Sequence, residues 1–224
     1  MVRAIFFDAG GTLMFPDRQR TLAPLHAHGI SFTEEQIHSA ERAARRYRDA
    51  SAHLPVPNVD RQYWVTYYQT LLGETGDEAL VSELVDATQN SGNWSYVLPG
   101  TRHHLVGLKR NYRLAVISNS DGRISKAFER VGLADCFEAI IDSGNVGHQK
   151  PSPLIFQAAL NTLGVPAAES VYVGDVYSID YLGAKSVGMQ AILIDPYGTY
   201  SSNGVPCIRK LDELGIALKT IDFP

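Results

Sequence analysis

The sequence predicts an α/β fold: a doubly wound parallel sheet with an α-helical bundle inserted after its first strand. Three observations predict it. Short runs that are almost wholly apolar recur along the chain and read as strands buried on both faces. After Leu98 these runs alternate with amphipathic stretches, the pattern of right-handed parallel crossovers. Between Asp17 and about Asn90 the spacing is helical throughout, so one strand precedes the insert and the rest of the sheet follows it.

The first strand lies in Arg3 to Leu13, R-A-I-F-F-D-A-G-G-T-L, and ends in a polar, glycine-rich loop. Ile5, Phe6 and Phe7 carry Asp8 to the carboxyl end of the sheet, where ligands of open α/β sheets bind. The insert should hold helices over about Arg18 to His28, Thr33 to Ser51, Asp60 to Leu72 and Gly76 to Gln89. Thr33 reads as an N-cap with Gln36 at the capping-box position. Gly29, the stretch Leu54 to Asn58 and Gly73 divide these helices. Later strands are expected at Leu114 to Ser118, Ala139 to Asp142, Val171 to Asp175 and Ala191 to Asp195. The organisation is therefore a Rossmann-like core of residues 1–15 and 92–224, with a helical cap of residues 16–91. An insert after the strand that carries Asp8 leaves the sheet at its carboxyl end, so it is expected to lie over Asp8 as a lid.

A net charge of −4 over 224 residues and a pI near 6.0 give no general attraction to nucleic acid or acidic membranes. The start, M-V-R-A-I-F-F-D, has too short an apolar patch for a signal peptide, and no stretch reaches membrane-spanning length. A cytoplasmic location and no membrane partner are the expectation. Cys136 and Cys207 lie far apart without metal-site spacing and read as reduced thiols. No pattern assigns an oligomeric state.

Three further polar clusters follow apolar runs and should reach the same sheet edge as Asp8. They are Ser118 with Asn119, Lys150 in H-Q-K-P-S-P, and Asp175 with Asp180 in V-G-D-V-Y-S-I-D. A carboxylate nucleophile, a hydroxyl and amide to hold oxygens, a lysine and a carboxylate pair for a divalent cation are what phosphoryl transfer requires. Mg²⁺ suits such hard oxygen ligands.

With these residues the chain resembles the haloacid dehalogenase-like hydrolase superfamily, in the subfamily whose helical cap follows the first motif. Asp8 matches the family nucleophile, Thr12 the threonine of the first motif, Ser118 the second motif, Lys150 the third, and Asp175 with Asp180 the acidic fourth. The resemblance implies a phosphatase-type hydrolase that forms and hydrolyses an aspartyl intermediate at Asp8. It also implies Mg²⁺ held by Asp8, the carbonyl of Gly10 and Asp175, with Asp180 alongside. The expected substrate is a small, anionic phosphorylated metabolite.

The chain departs from the family at Gly10, where phosphatases usually have a second aspartate that protonates the leaving group. General acid–base catalysis is worth roughly 10²- to 10⁴-fold, so ordinary phosphatase activity is placed in question. One explanation is a leaving group that needs no acid, or another donor: Asp121, His148, or a cap side chain such as His26, His53 or Tyr63. A second is a 2-haloacid dehalogenase, although the intact G-D-x-x-x-x-D favours a metal. A third, Schiff-base chemistry from a cap lysine as in phosphonoacetaldehyde hydrolases, fails because Phe15 to Tyr96 contains no lysine. A catalytically weak, phosphate-binding regulator is the alternative outside enzymes. Cap arginines at 18, 20, 42, 45, 46, 48 and 61 are candidates for anion recognition or for a solvated helix face. Tyr63, Trp64, Tyr67 and Tyr68 have the spacing of bundle core.

Overall fold

The computed structural model describes residues 1–52, 59–73, 76–200, 202 and 204–220. Leu54 to Asn58 and His53 lie outside the described residues. The chain forms two compact units, residues 1–15, 97–196 and 200–224 in one and 16–96 with 197–199 in the other.

The first unit is built on a six-stranded, wholly parallel sheet. In chain order its strands are β1 (Ala4–Phe7), β4 (Arg113–Ser118), β5 (Ala139–Asp142), β6 (Ser170–Gly174), β7 (Gln190–Ile194) and β8 (Cys207–Ile208). β2 (Phe15–Pro16) and β3 (Trp94–Tyr96) pair separately. The sheet order is β5-β4-β1-β6-β7-β8. The chain thus fills one side of β1 and then crosses to the other, which makes the carboxyl end of β1 the topological switch point. β1 is buried along its whole length, as its unbroken apolar run requires.

Alternation along the strands sends side chains into two layers. Ile5, Phe7, Val116, Val171 and Val173 pack with Leu105 of α6 (Thr101–Lys109), Phe128 of α7 (Ile124–Arg130) and Leu214 of α11 (Leu214–Thr220). Phe6, Ala115, Ile117 and Tyr172 pack on the opposite face with Ile155, Phe156 and Ala159 of α9 (Pro153–Leu163) and Ala184 of α10 (Leu182–Ser186). α9 begins where Ser152 caps it and Pro153 supplies a first residue that needs no N–H partner, and it ends at Gly164 in the left-handed region. Between β5 and α9 lies the short α8 (Ser143–Val146).

The second unit is a helical bundle of α1 (Arg18–Thr21), α2 (Ala23–Ala27), α3 (Glu34–Ser51), α4 (Val59–Leu72) and α5 (Glu78–Gln89). Thr33 caps α3 in a full capping box with Gln36. The single helix expected over 18–28 is instead two, because Pro24 has no N–H to continue the ladder and its ring crowds the preceding turn. Residues 91–96 stay with the bundle: Trp94 donates from Nε1 to the Thr88 carbonyl at 2.8 Å and packs edge-on against Trp64. Tyr197 belongs there too, its ring under the Arg45 guanidinium at 5.0 Å and beside His38 at 5.1 Å. No described helix is long and apolar enough to cross a membrane.

Candidate functional site

β4, β1 and β6 are neighbours, so Ser118 at the end of β4, Asp8 one residue past β1 and Asp175 one residue past β6 emerge at the same sheet edge. Asp8 shares the parity of Ala4 and Phe6, which face the layer covered by α9. Lys150, just before α9, rises from that layer and reaches it.

All three Lys150 ammonium protons are used. Nζ donates to Asp8 Oδ1 at 2.5 Å, to Tyr172 Oη at 2.8 Å and to Asp180 Oδ1 at 2.8 Å. The Asp8 backbone is fixed by its own N–H, which donates to the Val173 carbonyl at 2.8 Å. Burial pushes the Asp8 carboxyl up to about 6; Lys150 opposes the shift and Asp180 adds to it. For Lys150, burial favours the neutral amine, but the carboxylates of Asp180 and Asp8 outweigh it and hold its pKa above the ordinary value.

The loop after Asp8 folds back on itself. Leu13 and Met14 donate to the Ala9 carbonyl, and Gly11 donates to the Met14 carbonyl, each at 2.9 Å. These bonds flank Gly10 and leave its carbonyl outside the loop's own ladder. Gly11 has φ +77°, and a Cβ there would lie 2.5 Å from Asp175 Oδ2. Glycine is thus needed twice, for its backbone and for the approach of the acid. Thr12 is buried at the same loop, and its Oγ1 has no hydrogen-bond partner among the described residues.

Asp180 sits on a single π-turn, Tyr177–Tyr181. Its Oδ1 accepts from Lys150 and from the Tyr172 hydroxyl at 3.1 Å; its Oδ2 accepts from the N–H groups of Asp175 at 3.1 Å and Val176 at 3.0 Å. A Cβ on Gly174 would stand 2.4 Å from Asp180 Cγ, so this glycine too is required by an acid.

Asn119 has a task beyond the expected one. Its Nδ2 donates to the Lys150 carbonyl at 3.0 Å and its Oδ1 accepts the Lys150 N–H at 2.7 Å. Each end of the amide makes one bond to the lysine's backbone, so Asn119 sets Lys150 in place and keeps its second N–H beyond that task. Ser118 is buried at the end of β4, in register with Asp142. Asp142 in turn shapes the loop after Ser118, accepting from the N–H groups of Gly122, Ile124 and Gly144 at 2.9–3.1 Å.

Tyr172, Gly11, Gly174 and Asp142 were not singled out by sequence reasoning. For Tyr172 a signal existed: a tyrosine in the apolar run V-Y-V carries a hydroxyl that needs a buried partner.

Ligand oxygens of Asp8, Asp175 and Asp180 lie within 4.8 Å of one another, all three residues buried. Three carboxylates buried so close together are costly, even with the Lys150 ammonium bonded to Asp8 and Asp180, and a hard divalent cation such as Mg²⁺ fits the all-oxygen donor set.

Of the candidate proton donors, Asp121 is exposed and gripped by the Arg123 guanidinium, which holds its carboxyl below the usual range. It stays ionised at neutral pH. His148 and His26 are exposed, and the Tyr63 hydroxyl donates to Glu41 at 3.4 Å. Several bundle arginines are internal ties: Arg20 to Asp17, Arg42 to Glu35, Arg48 to Asp60, Arg61 to Asp86. Tyr63, Trp64, Tyr67 and Tyr68 pack on one another within the bundle core.

The family model described as haloacid dehalogenase-like hydrolase matches residues 2–188. The chain is 30% identical over 239 aligned positions to the bovine (Bos taurus) haloacid dehalogenase-like hydrolase domain-containing protein 3, covering 99% of this chain and 94% of that protein. It is 31% identical to a glyceraldehyde 3-phosphate phosphatase of Methanothermobacter thermautotrophicus, over 87% of this chain and 86% of the relative. Among solved structures, the magnesium-bound HAD-hydrolase YfnB of Bacillus subtilis superposes with a TM-score of 0.66 at 21% identity, over 97% of this chain and 99% of its own. That last likeness speaks to the fold alone. Sheet order, the four polar clusters and sequence kinship agree, and the chain belongs to the haloacid dehalogenase-like hydrolase family.

Proposed function

We propose that this hydrolase is a Mg²⁺-dependent phosphatase acting on a small phosphorylated metabolite through an aspartyl-phosphate at Asp8. One observation carries the reading: a buried cluster of Asp8, Asp175 and Asp180 oxygens within 4.8 Å, with a single ammonium among them. The relative named for glyceraldehyde 3-phosphate hydrolysis supports a small substrate of this class.

In this reading Asp8 attacks phosphorus, the bond from phosphorus to the leaving oxygen breaks, and water then attacks the aspartyl-phosphate to release phosphate and free Asp8. Lys150 keeps the nucleophile ionised and balances charge at the phosphoryl group. Thr12, whose buried hydroxyl has no partner among the described residues, and Ser118 would hold phosphoryl oxygens. Asp8, the Gly10 carbonyl and Asp175 would hold the metal. Asp180, whose two oxygens already accept four hydrogen bonds, would act through a retained water. When bound, Mg²⁺ supplies charge neutralisation between the carboxylates and the anionic substrate. With no carboxyl at Gly10, phosphates whose leaving group is a weak base are favoured.

The purified protein should be offered an aryl phosphate, an acyl phosphate, a panel of sugar and triose phosphates and a 2-haloacid, with Mg²⁺ and with chelator. Mg²⁺-dependent phosphate release is expected. Halide release without metal would replace this reading with dehalogenation, and tight phosphate binding without turnover would replace it with a regulatory role.

A further inference from the structure

Three of the four polar clusters converge on one hydroxyl. Tyr172 lies in the middle of β6 and is wholly buried. Its Oη accepts a hydrogen bond from Lys150 Nζ at 2.8 Å. It has one proton of its own to give, and two acceptors are in reach: Asp180 Oδ1 at 3.1 Å and the Ile117 carbonyl at 3.2 Å. Ile117 immediately precedes Ser118. The hydroxyl therefore touches the lysine, the fourth-motif acid and the backbone that delivers Ser118. Its ring also makes an edge-on packing contact with Phe156 of α9, 5.3 Å between centroids, while the hydroxyl is fixed by its own hydrogen bonds.

An ammonium has three donors and no preferred rotation of its own, so its direction is set by its acceptors. Asp8 and Asp180 fix two of these, and the third decides whether Nζ stays between them. Without an acceptor at Tyr172, one buried N–H of Lys150 is left unmade, and the lysine gains by moving to find another. We propose that Tyr172 is a positioning residue of the hydrolytic site, its hydroxyl holding the Lys150 ammonium on Asp8. The inference about turnover rests on the phosphatase reading; the geometric one does not.

The test is Tyr172→Phe, with Phe156→Leu as a packing control that leaves the hydroxyl in place. Crystal structures of wild type and Tyr172→Phe come first. Lys150 Nζ should leave hydrogen-bond distance, about 3.2 Å, of Asp8 or of Asp180 in the variant; an ammonium still bonded to both overturns the proposal, whatever the protein's activity. Kinetics on an aryl phosphate follow, per folded molecule. Losing a hydrogen bond to a charged group should lower kcat about tenfold or more, with KM little changed. Phe156→Leu should lower the unfolding midpoint but leave kcat within about twofold, the scatter that separates packing from positioning. An equal fall in kcat for both variants would show packing alone and sink the proposal. If Tyr172→Phe does not fold, 3-fluorotyrosine at position 172 is nearly isosteric and a weaker acceptor; unchanged kcat there overturns the proposal. Failure of wild type to release phosphate would remove the phosphatase reading and leave the crystallographic comparison to decide Tyr172.

Discussion

Gly174→Ala tests how tightly the acidic loop is built. A Cβ at residue 174 would stand 2.4 Å from Asp180 Cγ and 2.6 Å from its Oδ2. Ordinary contact requires the carboxylate to retreat by about 1 Å. That retreat lengthens bonds now at 2.8–3.1 Å beyond useful range for some of the four donors, Lys150, Tyr172 and the N–H groups of Asp175 and Asp180's neighbour Val176. Hydrogen bonds to a charged group are worth about 1.5–3 kcal/mol each, so losing two costs about 3–6 kcal/mol. The alanine restricts the unfolded chain and returns only about 0.4–1 kcal/mol, so destabilisation wins. For a protein of this size each kcal/mol moves Tm by about 2–4 °C, which predicts a fall of at least about 4 °C by calorimetry. The mechanism is isolated by repeating the change in an Asp180→Gly background, which removes the obstructing carboxylate together with the Cβ that would lie 2.5 Å from the added methyl. There Gly174→Ala should cost less than about 0.5 kcal/mol, the size of ordinary additivity error. A Tm unchanged in the first background, or an equal fall in both, would refute the claim that Gly174 is glycine for the sake of Asp180.

Two further outcomes follow from the site. Gly10→Asp places a carboxyl where leaving groups are protonated in related phosphatases, and should raise kcat/KM on alkyl phosphates by roughly 10²-fold or more while aryl phosphates change little. Equal gains on both, in paired steady-state assays, would show that proton delivery is not limiting. Cation affinity should depend on pH through Asp8. Its carboxyl, raised from 3.8 to about 6 by burial, binds a proton as pH falls through that value and then competes with the metal. Calorimetric titration with Mg²⁺ should therefore show affinity falling about tenfold per pH unit below about 6 and levelling off above it. A flat profile from pH 5 to 7 would exclude Asp8 as a direct ligand.

The parts of this design that were legible in the sequence are those with a period or a type. Apolar runs of strand length located β1, β4, β5, β6 and β7, and their alternation with helices fixed the parallel sheet. The edge strand β8, two residues long, is too short to have a period. The break at Leu22 was carried by Pro24 but was overridden by the surrounding helical spacing. Residue type alone nominated Asn119 as an oxygen-holding amide, and only its spatial partner shows that it also anchors the backbone of Lys150. In the sequence Gly11 is one of a glycine-rich loop and Gly174 lies within an expected strand, and neither points to its reason, because what forbids a side chain there is an acid far along the chain or across the loop.

The acids themselves show where residue type stops informing. Asp175 and Asp180 are the same side chain five residues apart, and spacing offers them as an equivalent pair of metal ligands. Their surroundings differ. Asp180, carried inward by the π-turn, spends both oxygens on two side chains and two backbone N–H groups. Its carboxylate could enter a metal's inner shell only by surrendering one of these bonds, and Mg²⁺ readily keeps a water that would spare it the exchange. Asp175 lies against Gly11, whose missing side chain brings its Oδ2 up to the loop that begins at Asp8. In the proposed reading the two acids divide the work: Asp175 would hold the cation with Asp8, and Asp180 braces the lysine. Asp180→Asn should then weaken Mg²⁺ binding far less than Asp175→Asn in calorimetric titration, and equal losses would return both acids to the inner shell.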